Sequence, residues 1–104
     1  MARYTFMMRL RGEEVIPKYE RKHAEIGAEI LDAHRRAGIR NYSIHRRGLD
    51  LFGYFEADDP HKSLELLLAD QAMEPWFAWA EPLMEYGPDG KPKFMELSEV
   101  FYME

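Results

Sequence analysis

The stretch IRNYSIHRRGLDLFGYFEA, residues 39–57, decides how this chain folds. It reads as two β-strands, Ile39–Arg46 and Leu49–Ala57, joined by a tight hairpin at Arg47-Gly48. A glycine at the joint suits the positive φ that such turns need. Strict alternation cannot bring Phe52, Tyr54 and Tyr42 to one face together with Phe55, Leu51 and Ile39. Both faces of this ribbon therefore carry apolar side chains.

Upstream, residues 3–11 alternate in the same way, with Tyr4, Phe6, Met8 and Leu10 on one side and mostly Arg3, Thr5, Arg9 and Arg11 on the other. That is a strand, and Met7 on its polar side again suggests a sheet covered on both faces. Gly12 interrupts it and one long helix follows over residues 14–37. Pro17 fits only in the first turn, so the regular helix starts near Val15 or Ile16, and Gly38 ends it. Downstream of the hairpin, Asp58-Asp59-Pro60 is a cap followed by a proline, the start of a second helix. That helix carries Leu64, Leu67 and Leu68, breaks near Ala72–Pro75, and gives way to a helical piece from Trp76 to Met84. A Gly- and Pro-rich loop, Tyr86–Pro92, precedes a last strand, Phe94–Tyr102. The order is βαββαβ: one α+β domain, residues 1–104, of ferredoxin-like type, with an antiparallel four-stranded sheet and its helices on one face. Apolar residues on the uncovered face imply that a second copy of the chain covers it, in a homodimer.

Composition narrows the function. The 104 residues are 46% hydrophobic and 32% charged, with a net charge of -5 and the two signs interspersed. Lys22, Arg35, Arg36 and Arg40 are broken up by Glu25, Glu29 and Asp32, a solvated helix surface rather than a track for nucleic acid. Without cysteine there is no disulfide, thiol nucleophile or thiolate metal site, which suits a reducing compartment. The alternating residues 1–10 do not read as a signal sequence, and Glu65 interrupts the longest aliphatic run, Leu64–Ala69. The expectation is a cytoplasmic protein that binds neither membrane nor nucleic acid.

Two polar residues stand out within an apolar stripe. Ile16, Tyr19, His23, Ile26, Ile30 and Ala33 recur in steps of three and four, so a phenol and an imidazole share one helix face. A buried pair of this kind needs partners or a purpose. On pattern alone, a satisfied pair within the core accounts for it as well as an acid–base couple does. His34 reads as a cation at the helix end, where the macrodipole favours one. His61 reads as exposed, and His45 alternates with Ser43 and Asn41 in a polar row able to line a cavity. Asn41 is out of place in a strand and implies a turn or a polar contact. No three ligands converge on a metal site. Trp76, Phe77 and Trp79 crowd one turn and a half: either they plug the core, or one or two of them wall a pocket suited to the C–H faces of a sugar. Neither a phosphate-cradling glycine loop nor a Ser–His–Asp spacing is present.

Four segments together resemble the L-rhamnose mutarotase family: Tyr19-x-x-x-His23, Asn41-Tyr42-Ser43-Ile44, Trp76-Phe77, and the ending Glu96-Leu97-Ser98-Glu99-Val100-Phe101-Tyr102. Their order and the chain length match as well. The resemblance implies a cofactor-free, dimeric α/β-barrel enzyme that interconverts the α and β anomers of L-rhamnose in support of rhamnose catabolism. It further implies that Tyr19 donates a proton, that His23 contacts the sugar, and that Tyr42, Trp76 and Phe77 line the substrate site. Some members have two tryptophans where this chain has Trp76-Phe77, and Phe77 lacks the indole N–H. Two other readings share the topology: a cofactor-independent monooxygenase of the dimeric α/β-barrel kind, and a sugar-binding module without chemistry.

Overall fold

The computed structural model describes residues 1–104. Strands β1 (Ala2–Arg9), β2 (Arg40–Arg47), β3 (Asp50–Ala57) and β4 (Met95–Leu97) form one sheet in the order β2-β3-β1-β4, with every neighbouring pair antiparallel. Helices α1 (Ile16–Ala24), α2 (Ala28–Arg36), α3 (Pro60–Ala69) and α4 (Glu74–Ala80) supply the second layer. This is the α+β, ferredoxin-like arrangement expected from the strand and helix order. No helix is long and apolar enough to cross a membrane.

The core lies between sheet and helices. Tyr4, Phe6, Met8 and Leu10 of the first strand and the following residue are all buried, as their alternation requires. From β3, Leu51, Phe55 and Ala57 join them. Phe6 pairs directly with Gly53 across the β1–β3 ladder. Its ring occupies the space a Cβ on residue 53 would need, so glycine there is a packing requirement. Around that ring stand Phe94 at 5.1 Å, Tyr4 at 5.8 Å, Tyr42 at 6.1 Å and Phe55 at 6.2 Å, centroid to centroid.

The chain departs from the sequence reading at five points. The helix expected over residues 14–37 is two helices. α1 ends where Glu25 leaves helical geometry (φ −118°, ψ 33°), and Gly27 is extended (φ −82°, ψ 161°) as the residue before α2. Glycine is poor inside a helix, by roughly 1 kcal/mol, and acceptable as an N-cap, so the break falls where it costs least. Ile26 therefore lies in the break, and the stripe from Ile16 to Ala33 is not one continuous face. The break in the second helical region also comes early: Asp70 accepts from the Ala72 amide at 3.0 Å and starts a 3₁₀ turn, Gln71–Met73. Pro75 then sits in the first turn of α4 rather than in a linker, and α4 ends at Ala80 rather than Met84.

The last strand is shorter than Phe94–Tyr102. Only Met95–Leu97 pair with β1. Beyond them the chain is held through Arg3, whose guanidinium bonds both carboxylate oxygens of Glu99 (2.7 and 2.9 Å) and lies 3.4 Å from the ring centre of Tyr102. Val100, Phe101 and Met103 remain exposed.

The fourth difference sets the site. β2 carries a bulge: Arg40 pairs with Glu56 but Ser43 pairs with Tyr54, so two residues, Asn41 and Tyr42, stand opposite one. Asn41 takes the left-handed conformation (φ 52°), and its Nδ2 donates to Glu56 Oε1 at 2.6 Å. It is thus both the irregular backbone position and the polar contact. The extra residue resets the alternation, which would otherwise turn Tyr42 away from the face of Ile39. Tyr42 instead packs on the helix side, 5.8 Å from Phe55. The hairpin itself turns on Gly48 (φ 59°) and Leu49, with Arg47 paired to Asp50, one residue later than Arg47-Gly48.

Candidate active site

α1 is short and amphipathic, and its buried residue is Tyr19. One turn later His23 lays its ring over the Tyr19 ring, with centroids 4.2 Å apart and planes inclined by 37°. The His23 Nδ1–H donates to the Tyr19 carbonyl at 2.9 Å. Since a carbonyl only accepts, that bond fixes the neutral ring's proton on Nδ1 and leaves Nε2 as a free lone pair. The Tyr19 hydroxyl has no hydrogen-bond partner within the chain, yet no buried side-chain oxygen lacks one. Its oxygen therefore opens onto a cavity.

That cavity has a volume of about 430 Å³ and a mostly apolar lining. Tyr19 and His23 line it from α1, Tyr42 from the bulged strand, and Trp76 and Phe77 from α4. All five residues singled out from the sequence thus meet in one place. Trp76 and the His23 imidazole meet in a T-shaped contact, with centroids 5.0 Å apart and planes at 82°. Trp79 does not line the cavity; it supports the pair from behind, nearly parallel to Tyr19 at 6.5 Å. Phe77 is mostly core, and its carbonyl accepts from the Tyr86 hydroxyl at 2.5 Å.

Burial sets the protonation states. It raises Tyr19 and Tyr42 well above the usual phenol range, so both hydroxyls keep their protons. The same cause lowers His23 below 6.5, opposed by its bond to the Tyr19 carbonyl and reinforced by the neighbouring His34. A phenol held protonated and an imidazole held neutral therefore open onto the same space.

The other histidines divide differently from the sequence reading. His34 is not a charged helix end: burial lowers it too, and it lines the cavity. His45 bonds Ser43 through Nε2 at 3.2 Å and lines a smaller adjoining cavity of about 230 Å³ with Glu20 and Arg46. Tyr19 and His23 border both spaces. His61 is exposed as expected and bonds Glu96 at 2.8 Å. Asn41 and Ser43 reach the main cavity because of the bulge, and Pro92 and Phe94 close it from the C-terminal loop. Alternation places these two in one polar row with His45; the bulge divides that row, with Asn41 and Ser43 on the main cavity and His45 on the smaller one.

A family model described as L-rhamnose mutarotase matches residues 3–103. The L-rhamnose mutarotase of Burkholderia orbicola is 36% identical, covering 100% of both chains, and that of Jannaschia sp. strain CCS1 is 35% identical, covering 99% of both. The crystal structure of an L-rhamnose mutarotase from Formosa agariphila superimposes with a TM-score of 0.85 over 100% of both chains; at 24% identity it shows the shared fold. Matched over nearly its whole length by the family model and by these relatives, the chain belongs to the L-rhamnose mutarotase family.

Proposed function

We propose that this chain is an isomerase that interconverts the α and β anomers of L-rhamnose by general acid–base catalysis with Tyr19 and His23. The observation that carries the reading is the pairing of a protonated phenol and a neutral imidazole on one apolar cavity. Changing the anomer requires removing the C1 hydroxyl proton while protonating the ring oxygen. The C1–O5 bond breaks, the open-chain aldehyde rotates, and O5 closes on the other face with the proton transfers reversed. His23 Nε2 takes the hydroxyl proton and Tyr19 donates to the ring oxygen; on closure each group returns to its starting state. Positioned acid–base groups contribute roughly 10²–10⁴-fold, adequate for a reaction that already proceeds in water. Trp76 and Phe77 offer flat apolar surface to the C–H faces and the C5 methyl of a deoxysugar, and Tyr42 offers a hydroxyl.

Two copies of the chain pair through the sheet face away from the helices, where Met7, Phe52, Met95 and Leu97 lie together. Val100, Phe101 and Met103 of the C-terminal tail are also exposed.

Saturation-transfer NMR on equilibrated L-rhamnose tests the activity. Catalytic amounts of protein should speed exchange between the α and β anomeric protons. No acceleration over buffer would overturn the reading.

A further inference from the structure

His34 on α2 repeats the arrangement of His23 on α1. Its Nδ1–H donates to the carbonyl of Ile30, one turn earlier, at 2.7 Å. As with His23, the bond places the proton on Nδ1 and leaves Nε2 a lone pair. The ring rests against Tyr42 at 5.3 Å and 53°. No group of the chain bonds this Nε2, and no buried side-chain nitrogen is left without a partner, so the atom opens onto the cavity that His34 lines. The cavity thus contains a second bare imidazole acceptor beyond the Tyr19–His23 pair.

An acceptor on a mostly apolar cavity favours ligands that bring a donor, because an apolar ligand would strip its water and leave it unpaired. Resting on the mutarotase reading, we infer that His34 is a sugar-binding residue whose Nε2 accepts a hydrogen bond from one ring hydroxyl of L-rhamnose lying against Tyr42. The reacting C1–O5 end belongs to Tyr19 and His23, so this hydroxyl is one of those on C2, C3 or C4. His34 thereby selects a hydroxylated sugar over its deoxy analogue at that position.

The test is a set of titrations followed by tryptophan fluorescence, with Trp76 in the cavity wall as reporter. Wild type, His34→Leu and His34→Gln are titrated with L-rhamnose and with its 2-, 3- and 4-deoxy analogues. His34→Leu should weaken L-rhamnose binding about three- to tenfold, the range of one net hydrogen bond. His34→Gln, whose carboxamide oxygen can accept, should recover most of the loss. For one deoxy analogue the difference between wild type and His34→Leu should vanish, because the donor is already missing. Unchanged affinity in His34→Leu, or equal weakening for all four sugars, would overturn the inference in favour of packing. If His34→Leu does not fold, His34→Phe keeps a ring against Tyr42, removes the acceptor, and is judged by the same criteria. A wild type that binds L-rhamnose without accelerating anomer exchange would refute the mutarotase reading alone. Exchange with unchanged His34→Leu affinity would refute the His34 assignment alone, and a wild type that neither binds nor exchanges would refute both.

Discussion

The imidazole of His23 lies over the Tyr19 phenol at 4.2 Å, and the Tyr19 backbone carbonyl accepts its Nδ1 proton at 2.9 Å. One residue therefore supplies both a neighbouring phenol, through its side chain, and the lock on the imidazole's tautomer, through its backbone. The two contributions can be separated, since a substitution at residue 19 alters the first and keeps the second.

Tyr19→Phe retains the stacked ring and the carbonyl acceptor and removes only the proton donor. Anomer exchange at saturating L-rhamnose should fall about 10²–10⁴-fold. Stability should change by no more than about 1 kcal/mol, because the hydroxyl has no hydrogen-bond partner within the chain to lose. Exchange NMR and urea unfolding check the two halves. Full activity in Tyr19→Phe would move the acid role to another group, and unfolding would make Tyr19 a structural residue.

The pH profile follows from the two directions of shift. His23 serves as base only when neutral, and burial lowers it below 6.5; catalysis is therefore lost as pH falls through that depressed value. Tyr19 serves as acid only when protonated, and burial raises it above 10; catalysis is lost only on the alkaline side of that value. The enzyme-dependent rate, with the buffer rate subtracted, should form a plateau from about pH 7 to about pH 10 with its acid limb below 6.5. An acid limb above 6.5 would contradict a buried neutral His23.

Much of this arrangement is legible in sequence, and the parts that are not share a cause. Tyr4, Phe6, Met8 and Leu10 alternate without interruption, and Asp59-Pro60 starts α3 as a cap and proline should, with Asp59 accepting from the Lys62 amide at 3.2 Å. Tyr19 and His23 lie within one regular helix, so their shared face is a local property. The helix break and the strand bulge each change which way later residues point while leaving the numerical pattern intact. The steps from His23 to Ile26 to Ile30 still read as three and four across the break at Gly27. The bulge at Asn41 adds a single residue, which inverts the faces of Tyr42 and all that follows in β2. His34 depends on both, since α2 is reoriented by the first and the ring meets Tyr42 through the second. Its place in the cavity is a tertiary fact with no local signature.

The uncovered sheet face leads to a prediction about assembly. Met7 of β1 stands between Phe52 on β3 and Met95 on β4, with Leu97 alongside. A stable pair buries about 800 Å² per partner, and this face offers an apolar surface for it. Light scattering should report a mass near twice 12.3 kDa. Phe52→Asp places a charge in the middle of that face, away from the cavity, and should return the mass to that of one chain. A wild-type monomer at every concentration would contradict the pairing.

Gly53 links core packing to the cavity. It lies between the buried Leu51 and Phe55 on the inner face of β3, directly opposite Phe6, and a Cβ there would fall within the Phe6 ring. The ring can shift only by displacing Tyr4, Tyr42, Phe55 and Phe94, which surround it. Gly53→Ala should therefore destabilise by overpacking, by roughly 1–3 kcal/mol, lowering the urea midpoint with little change in slope. Tyr42 and Phe94 are also cavity walls, so a displaced Phe6 ring should weaken L-rhamnose binding in the same variant. Combining Gly53→Ala with Phe6→Leu shrinks the obstructing side chain; the double variant should be more stable than the sum of the two single effects. Strict additivity would mean that the two positions do not compete for the same space.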